Sequence, residues 1–343
     1  MKAYAITGYG AAGAIKPTTL EEPPPLARGE VQIRLIATSI NPIDRLIAEG
    51  YGAPILNRRR LFPVVLGRDG VGVITAVGAG VRDLRSGQRV ILAVSPRTAG
   101  TYAERLNLPR RCVCAVDDRV ADDVAAVIGY AGGTAVQALS ACGITPGVAH
   151  GRRLCINGAS GGLGAIAVQL ASHWGASVTA VCSARNLAWV RELGAREAVD
   201  YADPQALAAI RADSVLNCAA PSALEETFLD PLLGSLEGST KSAAYATVIS
   251  SLLGLVTERG VLRGAVGGLG DFARRRRRAA AIGARYRWVL FDEKPDAIAT
   301  IVAFFASSTA RSVTRATYSL ADLPTIFNDA AVAKTPGKIC LTV

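Results

Sequence analysis

The chain has little aromatic content, at 6% of 343 residues, a single Met and only two His. His150 and His173 fall in a predicted loop and at a predicted helix end, where they read as surface or packing residues rather than catalysts. No uninterrupted apolar run reaches the length a membrane span needs. Met1-Lys2 leads directly into strand-like Ala3-Tyr4-Ala5-Ile6, without a signal-peptide or Arg/Ser-rich transit segment, so the expectation is a cytoplasmic protein with no membrane partner. Seven cysteines make an odd set. Cys155, Cys182, Cys218 and Cys340 sit in apolar runs as small hydrophobes. Cys112 and Cys114 are too tightly spaced for a zinc knuckle and no second pair matches them. Reduced thiols are expected, not a disulfide framework.

Glycine, in contrast, is abundant and placed with purpose. Leu154-Cys155-Ile156 reads as a buried parallel strand. It enters the turn Gly158-Ala159-Ser160-Gly161-Gly162-Leu163-Gly164, and a small-residue helical pattern begins at Ile166. A tight turn, close approach of backbone to a diphosphate and hard packing of helix on strand all require glycine. The helix N-terminus adds unpaired N–H groups and a positive dipole end. Alone, such a turn is as readily structural as functional. A second apolar strand, Ala176 to Cys182, ends roughly 20 residues past the glycines, where a dinucleotide fold reads the adenosine ribose. An NAD site would place Asp or Glu there. Here stand Ser183-Ala184-Arg185, a hydroxyl and a guanidinium suited to a 2′-phosphate. NADPH is the expected cofactor, against the plainer reading of Arg185 as a surface residue opening the next helix.

Residues 1–128 read as short strands between turns, among them the period-two run Val31 to Ala37. Ala121 to Leu139 is helical in spacing. Strands then alternate with helices: Leu187 to Leu193 helix, Ala198 to Tyr201 strand, Pro204 to Arg211 helix, Ser214 to Cys218 strand, Leu224 to Leu233 helix, Tyr245 to Ser250 strand. That alternation implies a parallel doubly wound sheet. From about residue 310 short strands return, so the first domain is discontinuous, 1–128 with 310–343, around a nucleotide domain at 129–309. The net charge of +10 suits an anionic cofactor or substrate. The five arginines Arg274 to Arg278 read as a solvated face, or as a docking patch for CoA, a carrier protein or nucleic acid. No aromatics interleave them, so nucleic acid ranks low.

Several runs resemble one family in order along nearly the whole chain. They are Asn41-Pro-Ile-Asp44 with Gly50-Tyr51-Gly52, Phe62 to Asp69, Asn157 to Gly164, Val178 to Ser183, Asp200-Tyr201 and Tyr286-Arg-Trp288. Together they resemble the medium-chain dehydrogenase/reductase superfamily in its zinc-free quinone oxidoreductase branch. The resemblance implies an α/β chain with a GroES-like β domain joined to a Rossmann domain, often as a homodimer. Zinc members carry Cys where Asn41 stands and His where Arg68 stands, and neither replacement supplies the thiolate or imidazole that catalytic zinc needs. No metal site is expected.

Without a Lewis acid, the expected reaction is hydride transfer from NADPH to an acceptor whose own π-system carries the charge: an enone, an enoyl thioester or a quinone. The substrate is a small molecule, free or on CoA or a carrier protein, and a tailoring reductase of a biosynthetic pathway is one fit. The other reading is an NADPH-binding scaffold with weak chemistry that acts through the basic patch. By the resemblance, Ser160, Gly161, Gly162, Leu163 and Gly164 cradle the diphosphate. Ser183, Arg185 and Tyr201 surround the 2′-phosphate and adenosine, Asn217 ends a strand at the nucleotide-facing edge, and Thr134 lies near the nicotinamide. Asn41, Asp44, Tyr51 and Tyr130 are candidates to polarise or protonate substrate. Asn41 to Asp44 alternatively reads as a capped helix start.

Overall fold

In the computed structural model, residues 1–10, 15–57, 62–219, 231–236, 238–239 and 242–343 are described. In chain order the first strands are β1 (Lys2–Ile6), β2 (Ile15–Thr19), β3 (Glu30–Ser39), β4 (Val64–Val65), β5 (Asp69–Val77), β6 (Arg89–Ala93), β7 (Arg105–Pro109) and β8 (Val113–Ala115). Two short helices, α1 (Pro42–Ala48) and α2 (Ala53–Leu56), stand among them, and α3 (Asp122–Ala141) follows. β9 (Arg153–Asn157), α4 (Gly162–His173), β10 (Ser177–Cys182), α5 (Leu187–Glu192), β11 (Glu197–Asp200), α6 (Pro204–Ala209) and β12 (Ser214–Asn217) then alternate. After β13 (Ala244–Thr247) come α7 (Leu252–Arg259), α8 (Val261–Ala281), β14 (Arg285–Trp288) and α9 (Pro295–Phe305), and the chain ends on β15 (Thr314–Ser319) and β16 (Lys338–Thr342). Of the expected helix Leu224 to Leu233, residues 224–230 lie outside the described residues.

The chain divides into two compact units, Met1–Gly133 with Phe291–Val343, and Thr134–Leu290. In the first, β2-β1-β4 form a small sheet, and β15-β16-β3-β5-β6-β8 form the main one, with β7 also on β3. Along β3 the alternation is visible as burial: Val31, Ile33, Leu35 and Ala37 point into the core. The last strand pairs antiparallel with β3, Cys340 opposite Ser39. This pairing carries Lys338 to the start of α1.

In the second unit all six strands are parallel, in the order β11-β10-β9-β12-β13-β14. Numbered within the unit this is 3-2-1-4-5-6, the doubly wound Rossmann order. β9 is buried on both faces from Leu154 to Asn157, as a central parallel strand must be. The order reverses between β9 and β12, so their carboxyl ends open the crevice where such sheets take ligands.

α3 is long and apolar enough to cross a membrane by length and composition, a run the sequence reading did not count, yet two thirds of it is buried as a core helix would be. α7 and α8 pack closely because Gly264 and Gly268 allow it: a Cβ on Gly264 would stand 2.3 Å from the Cα of Val256. The arginine run occupies the last turns of α8. Arg275 turns inward and donates to Asp271, whereas Arg276 and Arg277 face solvent.

Candidate functional site

At the end of β9 the chain turns sharply on Gly158, whose φ of +77° lies in the left-handed region. The N–H groups of Gly158 and Ala159 both donate to the Val181 carbonyl at 3.0 Å, tying the turn to β10. Gly164 is where the new helix crosses the turn. A Cβ there would stand 2.2 Å from the Gly158 oxygen and 2.8 Å from the Ala159 Cα, so no other residue fits. The first N–H groups of α4, on Gly162, Leu163 and Gly164, have no acceptor among the described residues. Together they form an anion cradle of the kind a diphosphate fills.

Asn157 and Asn217 end the two strands that flank the switch point and pair in register. The Asn157 amide donates to Asn217 Oδ1 at 2.9 Å, and the Ala219 N–H donates to the same oxygen at 3.2 Å. Asn217 is fully buried, and its Nδ2 has no partner among the described residues. A buried donor left open at a crevice is a group that awaits an acceptor. Past the end of β10 lie Ser183 and the exposed Arg185, and half-exposed Tyr201 has its N–H on the Cys182 carbonyl. Asn186, absent from the sequence reading, bridges this turn to the glycine turn: its Nδ2 donates to Ser160 Oγ at 3.1 Å and to Ser183 Oγ at 3.0 Å. Thr134 is buried on α3 at the start of this unit.

Four residues expected to face substrate, Asn41, Asp44, Tyr51 and Tyr130, belong to the other unit. There Asn41 and Asp44 sit within a buried network of charges. Asp44 Oδ2 accepts from the Asn41 N–H at 3.1 Å and from the Tyr102 hydroxyl at 3.2 Å, while Oδ1 accepts from the Gly67 N–H at 2.9 Å and from Arg68 Nε at 3.2 Å. The helix-start reading of Asp44 therefore describes one of these four bonds, and Gly67, Arg68 and Tyr102 supply the other three. Arg68 is itself buried, with Nη1 on the Ser95 carbonyl at 2.9 Å.

Beside this pair stands a second. Lys338 Nζ donates to Asn41 Oδ1 at 2.6 Å and to Asp69 Oδ2 at 2.9 Å. The same Asp69 oxygen receives the Ser39 hydroxyl at 2.8 Å and Asn41 Nδ2 at 2.9 Å, and Asp69 Oδ1 receives the Tyr130 N–H. Two carboxylates and two cations, all at most 4% exposed, thus compensate one another. Lys338, Asp69 and Tyr102 were not singled out from sequence.

Burial and the Asp44 carboxylate hold the Tyr102 phenol well above its usual range. Burial likewise raises that of Tyr130, whose ring leans on Phe291 with centroids 4.5 Å apart. Both stay protonated at neutral pH and can act as hydrogen-bond donors. Tyr51 stands on the turn after α1, its N–H on the Leu46 carbonyl. Among the described residues no three His, Cys, Asp or Glu side chains stand together where they could hold a metal ion. All seven cysteines are free, and burial pushes the Cys155 thiol up to about 12.

Against known proteins, residues 27–167 match the alcohol dehydrogenase GroES-like domain, and residues 162–229 match the family described as zinc-binding dehydrogenase. Asn41 and Arg68 lie in the first match. The chain is similar to the mitochondrial NAD(P)H oxidoreductase RTN4IP1 of Mus musculus, 30% identical across 92% of this chain and 82% of that one. It is similar to the chloroplast envelope quinone oxidoreductase homolog of Arabidopsis thaliana, 36% identical across 63% of this chain and 67% of that one. Its fold matches a mycobacterial protein solved in complex with NADPH, with a TM-score of 0.76 at 23% identity and full coverage of both chains.

These relatives overturn the expectation of a cytoplasmic protein, since they are named for mitochondria and chloroplasts. That expectation rested on the lack of a membrane-length apolar run and of a signal or transit segment before the strand at Ala3, and such absences do not say where a protein resides. With the 3-2-1-4-5-6 sheet, the glycine turn and these matches in hand, the chain belongs to the medium-chain dehydrogenase/reductase superfamily, in its zinc-free quinone oxidoreductase branch.

Proposed function

We propose that the chain is an NADPH-dependent, zinc-independent oxidoreductase that transfers a hydride to a conjugated acceptor. The observation that carries this reading is the network around Asn41 and Arg68. An amide bonded to Lys338 and a guanidinium bonded to Asp44 occupy the positions where zinc members of the superfamily carry ligands. Neither can be a soft or borderline metal ligand. A hydride acceptor here must delocalise its own developing charge, which enones, enoyl thioesters and quinones do and simple ketones do not.

The residues of the Rossmann unit fit NADPH, which supplies the hydride when bound. Ser160, Gly161, Gly162, Leu163 and Gly164 cradle the diphosphate with the open N–H groups of α4. Ser183, Arg185 and Tyr201 meet the 2′-phosphate and adenosine, Asn217 offers its open Nδ2, and Thr134 lies toward the nicotinamide. That the relatives include an NAD(P)H oxidoreductase and a protein solved with NADPH supports this choice. In the other unit Asn41 and Asp44 position the network, and the Tyr130 hydroxyl, with Tyr51 as second candidate, donates a hydrogen bond to the acceptor oxygen. The acceptor is a small molecule, free or on CoA or a carrier protein, and the working form is a homodimer.

NADPH oxidation should be observed with members of a panel of quinones, enones and enoyl thioesters, and should persist after exhaustive chelation. Activity confined to simple alcohols and lost to a chelator would defeat the proposal. NADPH should bind more tightly than NADH, and Arg185→Asp should erase most of that preference. The scaffold reading draws on one observation: exposed Leu262, Val266 and Leu269 adjoin exposed Arg276 and Arg277 on α8. Tight NADPH binding with no turnover anywhere on the panel would favour it.

A further inference from the structure

Asn186 sits at the N-cap position of α5, where an Asn ordinarily accepts a backbone N–H through its side-chain oxygen. It makes no such cap bond. Its amide nitrogen instead points back, to Ser160 at 3.1 Å and Ser183 at 3.0 Å, from a site only 9% exposed. We infer that Asn186 is a positioning residue for the 2′-phosphate of NADPH, and that its amide turns the hydroxyl protons of Ser160 and Ser183 toward one phosphoryl group. The inference rests on the cofactor reading above and names a residue that reading did not include.

The argument is one of donors and acceptors. An amide NH₂ carries two protons and accepts nothing, whereas a hydroxyl both gives and receives. With each serine oxygen receiving an amide proton, neither hydroxyl proton can point at Asn186. Neither has an acceptor among the described residues. Both are therefore free for a ligand, and a hydroxyl that already accepts a bond is the stronger donor. Bridged by a single nitrogen, the two oxygens are close enough to meet the same phosphoryl group. Ser183 immediately follows β10, the strand end that meets the adenosine ribose in this sheet order. The phosphoryl group that these two hydroxyls meet is the 2′-phosphate, while Ser160 takes part in the diphosphate cradle through its backbone alone.

The test is calorimetric titration of the whole protein and of Asn186→Ala, Asn186→Asp and Ser183→Ala with NADPH, NADH and 2′-AMP. Asn186→Ala should weaken NADPH and 2′-AMP about tenfold, the loss of oriented donors to a charged group, and leave NADH within about twofold. Asn186→Asp should weaken them further, because its carboxylate draws both hydroxyl protons inward and adds like charge. Ser183→Ala should follow Asn186→Ala. Unchanged NADH affinity also reports that the Asn186 variants are folded, and a circular dichroism melt reports it for Ser183→Ala. The inference fails if NADPH and NADH weaken in step, or if Asn186→Asp binds NADPH like the parent. Should the parent bind neither nucleotide, the cofactor reading falls with it, an outcome distinct from NADPH binding that no Asn186 variant disturbs.

Discussion

Lys338→Met removes the charge from the second buried pair while keeping an unbranched apolar stem. Three bonds go with the ammonium: to Asp69 Oδ2 at 2.9 Å, Asn41 Oδ1 at 2.6 Å and the Ile40 carbonyl at 3.4 Å. Asp69 remains, fully buried, with its bonds from Ser39, Asn41 and Tyr130. Removing one partner of a buried pair ordinarily costs ~3–5 kcal/mol because the other charge is left uncompensated. Those surviving donors place this case at the low end, about 3 kcal/mol, or a fall in Tm of about 6–12 °C for a unit of this size. Adding Asp69→Asn removes the orphaned charge, so the double variant should regain at least about half of the loss. Denaturant unfolding measures both. Hydrogen exchange should place the lost protection on peptides covering residues 39–44, 69 and 338–342. A loss under about 1 kcal/mol, or a double variant no more stable than Lys338→Met, refutes the pairing as the source of stability.

Glu293 gives a pH signature. Burial acts to raise its carboxyl, but bonds from the Thr98 hydroxyl at 2.6 Å and the Ser95 N–H at 3.0 Å outweigh it and hold the group to about 2, with Arg111 Nε also at 2.7 Å. A folded value below the unfolded one stabilises above about pH 4.5 and is lost as pH falls through about 2, a change of about 3 kcal/mol. Glu293→Gln should flatten that part of the stability curve, and parallel curves for the two proteins between pH 5 and 2 would contradict the assignment. Gly164→Ala should destabilise by about 2–3 kcal/mol and abolish nucleotide binding, since its Cβ meets backbone at 2.2 Å. Gly161→Ala meets only the Gly158 oxygen, at 3.3 Å, and should be far milder. Equal effects at the two glycines would show that the turn is not held by the Gly164 crossing.

The Rossmann sheet was readable where its strands are short apolar runs followed by helical spacing, whereas β14, with the sequence Arg-Tyr-Arg-Trp, has no such run and was not read as a strand. Leu154 to Ile156, Ala176 to Cys182 and Ser214 to Cys218 correspond to β9, β10 and β12 within two residues at either end. The hairpin of α7 and α8 was not readable. Gly264, Gly267, Gly268 and Gly270 weaken helix propensity where α8 begins, and nothing local reveals that two of them are spent on letting α7 approach. Tertiary packing decides that stretch. α3 shows the converse: its apolar length alone suits a membrane, and only the surrounding core distinguishes it.

The site divides along the same line between local and distant. Asn41 and Asp44 are three residues apart, and a Pro between them makes the helix start legible. Lys338, whose Nζ completes the bonding of the Asn41 amide, lies 297 residues away and arrives only through the register of β16 on β3. Without it, Asn41 reads as an amide free to meet substrate. With it, both ends of that amide are occupied, Oδ1 by Lys338 and Nδ2 by Asp69 and Ser39. Asn186 is the same lesson at short range. An Asn before a helix reads as its cap, and the alternative depends on a serine 26 residues upstream that only the parallel pairing of β9 and β10 brings alongside. In both cases the residue type was correct for two roles, and the choice between them was made by which hydrogen-bond partner the sheet register delivered.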